Sequence, residues 1–435
     1  MFCPKCGNNF PDTAKFCGNC GHKFEKKEEI KKKGLSPKVR KIVIAVTGCC
    51  IGLQLLVYFA LFHYPKSEWR YSVDPLGERV ASIYSYYGNK TTIIIPEKVK
   101  RGWFWYDVTA IPSFNECTSL ESIEIPEGVT AIGDWAFKWC ESLTSIKIPD
   151  SVTAIGEHAF NGCTSLESIE IPEGVTAIGE YAFKGCTSLT GIKIPKGVTA
   201  IGEHTFDGCT SLESIEIPEG VTVIGEYAFN ECTSLESIEI PEGVTAIGEY
   251  AFRWCESLTS IEIPEGVATI GEETFFACKS LSSIELPKGL TAIGEYAFKW
   301  CESLTSIKIP DSVTAIGAQA FFACKSLSSI ELPKGETAID YGAFAYCENL
   351  TSIEIPKGVT VIKAWTFMGC KNLKSIELPD GLTEIKMMAL AGCESLTRIA
   401  IPESVMDIDD SAFYRCTRLT GIDVPKDVEG IGMAY

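Results

Sequence analysis

From Cys117 onward, apolar positions recur with one fixed period. Cysteine stands at 117, 140, 163, 186, 209, 232, 255, 278, 301, 324, 347, 370, 393 and 416, every interval being 23 residues. The unit from Cys163 reads Cys-Thr-Ser-Leu-Glu-Ser-Ile-Glu-Ile-Pro-Glu-Gly-Val-Thr-Ala-Ile-Gly-Glu-Tyr-Ala-Phe-Lys-Gly. Leu166, Ile169 and Ile171 follow the L-x-x-L-x-L spacing that turns three apolar side chains to one side of a short strand. Pro172 withholds a donor and ends that strand, and Glu173-Gly174 supplies a turn. Val175 and Ile178 point inward again on a second extended segment, Gly179 interrupts it, and Ala182-Phe183 leads back to Cys186. About eight positions in each unit are therefore core, which one unit cannot bury alone but stacked neighbours can. The pattern predicts a β-rich solenoid of parallel strands.

The joint recurrence of Ile-x-Ile-Pro and Ala-Phe-x-x-Cys resembles the BspA-like class of leucine-rich repeats over roughly residues 108–435. The resemblance implies a curved right-handed coil used for adhesion and protein binding on cell surfaces, mainly bacterial, with no catalytic activity. The cysteine column is expected to be buried free thiols in the Asn/Cys position of such repeats. Neighbouring cysteines about 4.8 Å apart fall within disulfide Cα range, but parallel side chains do not aim sulfur at sulfur. At the front, Thr92-Ile-Ile-Ile-Pro96 matches the strand, with Lys90 at the Leu position and Tyr87 at the Cys position. The seven residues in excess of the period lie near Arg101–Asp107, so residues 63–107 read as a juxtamembrane segment and N-terminal cap. The repeat breaks off at Tyr435 with no evident cap, which leaves either an exposed edge or a truncated chain.

Ahead of the repeats the pattern changes. Ile42 to Phe62 holds no charged residue, and 21 residues of helix span about 30 Å, the thickness of a bilayer core. Lys26, Lys27, Lys31, Lys32, Lys33, Lys38, Arg40 and Lys41 precede it, in a basic linker covering 25–41, and few cations follow. This asymmetry predicts a single-pass membrane helix with a cytoplasmic N-terminus and extracellular repeats. No small-x-small cleavage site follows Phe62, as a signal peptide would require. A buried core helix would be shorter and carry a polar face.

Cys3-x2-Cys6 and Cys17-x2-Cys20, each followed by glycine, can present four thiolates tetrahedrally to one structural Zn²⁺. Residues 1–24 resemble the short zinc ribbon at the N-terminus of many bacterial membrane proteins. Paired disulfides or redox CxxC motifs would use the same residues, but redox motifs sit on a larger α/β fold. With almost no core of its own, the ribbon would take most of its stability from the metal.

Charge sharpens this division. Of 39 Lys+Arg and 57 Asp+Glu, residues 1–41 carry 11 and 4, leaving the body strongly acidic and nucleic acid an unlikely partner for it. Much of the acidity sits in one outward strand column, where Glu216, Glu239, Glu262 and Glu285 would stack as adjacent like charges. This stripe reads as a groove for a basic protein or divalent cations, or more plainly as a solvated face; Lys147, Lys193 and Lys308 interrupt it and weaken the cation reading. The column before each cysteine holds Trp139, Trp254 and Trp300 beside Gly162 and Glu231, so it is at least partly exposed. Its aromatics are candidate anchors for a protein ligand (host, matrix or neighbouring cell) or a glycan, or plainly covers over seams between coils.

There is no G-x-S-x-G, no H-E-x-x-H and only 4 His, and the recurring Gly-Val-Thr-Ala-Ile-Gly-Glu lacks the lysine of a P-loop. The sequence thus predicts a membrane-anchored adhesin or binding protein rather than an enzyme. A receptor relaying occupancy to a partner of the zinc ribbon, and a structural role in the envelope, are the alternatives.

Overall fold

The computed structural model describes residues 69–73, 79–86, 90–111 and 113–423. The chain divides between Lys66 and Ser67. The four ribbon cysteines, the apolar stretch 42–62 and the C-terminal residues from 424 lie outside the described residues. Among those described, no helix is long and apolar enough to cross a membrane.

The repeats form a parallel β-solenoid of about 15 turns. Each turn contributes two short strands to two ladders. In the first ladder Ser122–Glu124 pairs with Ser145–Lys147, and this continues to Arg398–Ala400 beside Gly421–Asp423. Its pattern is exposed, buried, exposed, so only the central isoleucine faces inward. The next isoleucine is buried as well, and the proline behind it closes a turn by accepting from the valine three residues on, as in Val175 N to Pro172 O at 3.0 Å. In the second ladder Ala131–Ile132 pairs with Ala154–Ile155, again in register at the 23-residue period. Parallel pairing in register places like residue on like residue, which is why the columns of the sequence become columns in space.

All eight core columns are buried, as in Cys163, Leu166, Ile169, Ile171, Val175, Ile178, Ala182 and Phe183. The phenylalanines make the largest contribution. Twelve rings from Phe114 to Phe367 stack with centroids 5.2–5.7 Å apart and planes within 14°. Leu390 then takes the place of the ring. The solenoid cysteines are free thiols, fully buried except Cys117. From Cys140 to Cys416 each donates from Sγ to a carbonyl of the preceding turn, for example Cys163 to Phe137 O at 3.1 Å. That carbonyl also accepts the Cys140 N–H at 3.1 Å, so the thiol fills its second lone pair.

The front of the solenoid is closed by a different arrangement. β1 (Trp69–Val73) runs antiparallel to β2 (Val80–Tyr86), and β2 lies parallel to β5 (Phe104–Ile111). β3 (Thr92–Ile94) is the first strand of the first ladder and pairs with Ser122–Glu124. β4 (Lys98–Arg101) folds back on β5 as a hairpin turning at Gly102, so the seven residues beyond the period are accommodated as a hairpin.

Candidate ligand-binding face

The segment that joins the second ladder to the next cysteine is where the turns differ from one another. In the turn ending at Cys186, alternate N–H groups have different destinations. Tyr181, Phe183 and Gly185 donate to Glu203 O, Thr205 O and Asp207 O of the next turn, whereas Ala182, Lys184 and Cys186 donate three residues back within their own. This alternation requires left-handed backbone at two positions per turn, the Tyr181 column and the Gly185 column. Glycine adopts that region freely, while an ordinary residue there costs about 1–3 kcal/mol.

In the first of these columns the cost is offset by stacking. Trp135, His158, Tyr181, His204, Tyr227 and Tyr250 form one continuous stack, with centroids 4.4–4.6 Å apart from His158 onward. The rings cover the seam between turns and cover one another. Among the described residues no group of three His, Cys, Asp or Glu side chains is placed to hold a metal ion.

The Gly185 column is different. Glycine occupies it at 162, 185, 208, 369 and 392, yet Trp139, Trp254 and Trp300 adopt φ of 59°, 60° and 65° in the same place. Trp254 and Trp300 come together 6.2 Å apart, with Phe276 between them at 5.7 and 4.9 Å. Phe322 and Tyr346 extend the ridge, 5.1 Å from each other. Three cations lie among the rings: Arg253 5.1 Å from Phe276, Lys279 5.5 Å from Trp254, and Lys299 4.7 Å from Phe322. Burial among these rings holds the Lys299 ammonium below the usual lysine range. Arg253 and Lys279 are also tethered, to Glu273 at 2.5 Å and Glu256 at 2.9 Å. The result is an apolar ridge with two cations paired to carboxylates and the Lys299 ammonium bonded to the neutral Gln319.

Trp139 is not part of this ridge. It stands five periods earlier, 45% exposed, beneath the Lys138 ammonium at 4.6 Å. Phe276 and Phe322 carry the ridge but are hidden in the sequence, because their column elsewhere holds Lys184, Asp207, Asn230 and Lys299. Two phenylalanines one residue after the core Phe275 and Phe321 are the only signal that marks them.

The acidic residues lie on another side of each turn. Glu216 pairs in register with Glu239, and Glu262 with Glu285, all four exposed. Lys193 continues the same column beside Glu216 but reaches away to Glu173 at 2.6 Å. The four glutamates of the stripe are open to water.

Stacked parallel strands with two ladders per turn define a leucine-rich-repeat solenoid, a scaffold typical of binding proteins. The repeats match the BspA type leucine rich repeat region over residues 110–236, 222–351 and 337–434, and the chain belongs to that family. Among solved structures it is similar to a leucine-rich repeat protein from Bacteroides ovatus, with 30% identity, TM-score 0.66, and 85% of this chain and 90% of that one covered. A leucine rich cell surface protein from Faecalibacterium prausnitzii is 32% identical, with TM-score 0.52 and coverage of 83% and 94%. The membrane-associated protein TcaA of Staphylococcus aureus is 28% identical over 102 residues, 20% of this chain. The match spans 22% of TcaA, about a fifth of that relative's length.

Proposed function

We propose that this is a membrane-anchored cell-surface protein whose repeat solenoid binds an extracellular protein ligand through Trp254, Trp300, Phe322 and Tyr346, the two tryptophans packed on the buried Phe276. The observation that carries this reading is the left-handed backbone at Trp254 and Trp300, where five sister turns use glycine and others a small or polar residue such as Ala277, Ala323 or Glu231. A chain selected for stability alone gains nothing from a strained, partly exposed tryptophan at such a site, whereas a rigid aromatic with little entropy to lose is an effective anchor. The Lys299 ammonium, bonded only to the neutral Gln319, favours a partner with a carboxylate beside its apolar patch.

The surface location is supported by the similarity to TcaA and to the F. prausnitzii protein, and by the apolar stretch 42–62 with its basic flank. In this reading the N-terminus is cytoplasmic, and Cys3, Cys6, Cys17 and Cys20 hold a structural Zn²⁺. The test is adhesion of cells displaying the full chain to surfaces coated with candidate matrix and host proteins. Trp254→Ser with Trp300→Ser is expected to lower adhesion at least fivefold at equal surface density. Undiminished adhesion by that variant would remove the ridge from the mechanism.

A further inference from the structure

The glycines at 185 and 208 leave a gap where Trp139, Trp254 and Trp300 fill the equivalent space, and the gap is an open cleft of about 370 Å³. Its wall is polar and built. Asp207 is 6% exposed; its Oδ2 accepts from Lys184 Nζ at 2.7 Å and from His204 Nδ1 at 2.7 Å. Its Oδ1 accepts from Asn230 Nδ2 at 2.7 Å. That last bond fixes the Asn230 amide, since the opposite orientation would set two acceptors against each other. Asn230 Oδ1 is left as a buried acceptor with no partner, on a residue 6% exposed that lines the cleft. The following residue of the column, Arg253, could have served it but is drawn to Glu273 at 2.5 Å.

We infer that this cleft binds a neutral sugar residue, one hydroxyl of which donates to Asn230 Oδ1. The charge balance selects the class. Lys184 is already matched by Asp207, and Glu231 stands exposed at the rim, so an anionic group would meet two carboxylates. A metal ion would face the Lys184 ammonium across a single buried carboxylate. An apolar group would leave Asn230 Oδ1 unpaired, which is costly in a buried site. A hydroxyl can donate to Asn230 while its own lone pairs accept from the Lys184 ammonium, and neighbouring hydroxyls can donate to Glu231. The cleft adjoins the ridge, Glu231 N–H donating to Arg253 O at 2.8 Å, but none of its lining residues is a ring of the ridge, so separate variants read sugar binding and adhesion.

The test is saturation-transfer NMR on the full chain in a zwitterionic detergent without a sugar headgroup, with D-glucose, D-galactose, D-mannose and N-acetyl-D-glucosamine as probes. Transfer to at least one of the four is expected. Gly185→Trp should reduce it at least tenfold, because a ring there would lie over Gly208 as Trp139 lies over Gly162. The chain already accepts that Trp–Gly arrangement, so this variant should keep its circular dichroism. Asn230→Leu should reduce transfer similarly, and Trp300→Ser should leave it intact while lowering adhesion. No transfer to any of the four sugars, or equal transfer in Gly185→Trp, overturns the inference.

Discussion

Trp139 rests on the backbone of Gly162: a Cβ on residue 162 would stand 2.3 Å from Trp139 Cδ1. The same relationship joins Tyr346 to Gly369, where the Cβ would be 2.7 Å from the ring. Gly185 has the same left-handed backbone but no ring above it, its nearest neighbour being Gly162 Cα at 3.8 Å. Gly185→Ala should therefore cost only the backbone term, about 1–2 kcal/mol. Gly162→Ala should cost more, because the ring of Trp139 must also move. Chemical unfolding of the two variants side by side checks this, and equal losses would show that Trp139 does not lean on residue 162.

The phenylalanine ladder makes a graded prediction. Phe252 stacks on Phe229 at 5.4 Å and on Phe275 at 5.6 Å, fully buried. Phe252→Ala should destabilise the solenoid by about 3–5 kcal/mol through lost burial and a residual cavity. Phe252→Leu should cost much less, since Leu390 already occupies this column fully buried. Denaturant midpoints of the two variants decide whether the column demands a ring or only volume.

The thiols should differ sharply in reactivity. Burial pushes Cys163 and Cys370 up to about 12, and every thiol from Cys186 through Cys370 is raised by burial foremost. Cys117 is only half-buried, and its interaction with the neighbouring Cys140 thiol lowers it to about 7. Thiolate is the reactive form, so maleimide labelling of Cys117 in the folded protein should rise as pH passes upward through 7. Peptide mapping by mass spectrometry should find the interior thiols unlabelled until denaturant is added. Rapid native labelling of Cys255 would mean that the interior opens.

Metal content tests the ribbon separately. The full chain should carry one Zn²⁺, lost in Cys17→Ser, and chelation should leave the far-ultraviolet dichroism of the repeats unchanged, since their core holds no metal group among the described residues. A chain that purifies without zinc under reducing conditions would turn the four cysteines toward disulfide or redox chemistry.

The period of 23, the eight core columns and the outward strand positions were legible from residues alone, because parallel stacking in register translates a sequence column directly into a spatial one. The same logic failed where columns are mixed. A position occupied by Lys184, Asp207, Asn230, Arg253 and Phe276 in successive turns has no average character, and its meaning depends on the turns directly before and after it. Asp207 is buried because Lys184 and His204 converge on it; Phe276 forms part of a ridge because Trp254 and Trp300 flank it. Left-handed backbone at the tryptophans was equally hidden, since it arises from the alternation of hydrogen bonds between and within turns rather than from any residue's own preference. The sequence by itself thus determined the repeating scaffold, whose contacts are all copies of one contact. Only the tertiary structure decided where two surfaces of that scaffold bring unlike residues together as the proposed sites, because stacking sets neighbouring turns about 5 Å apart.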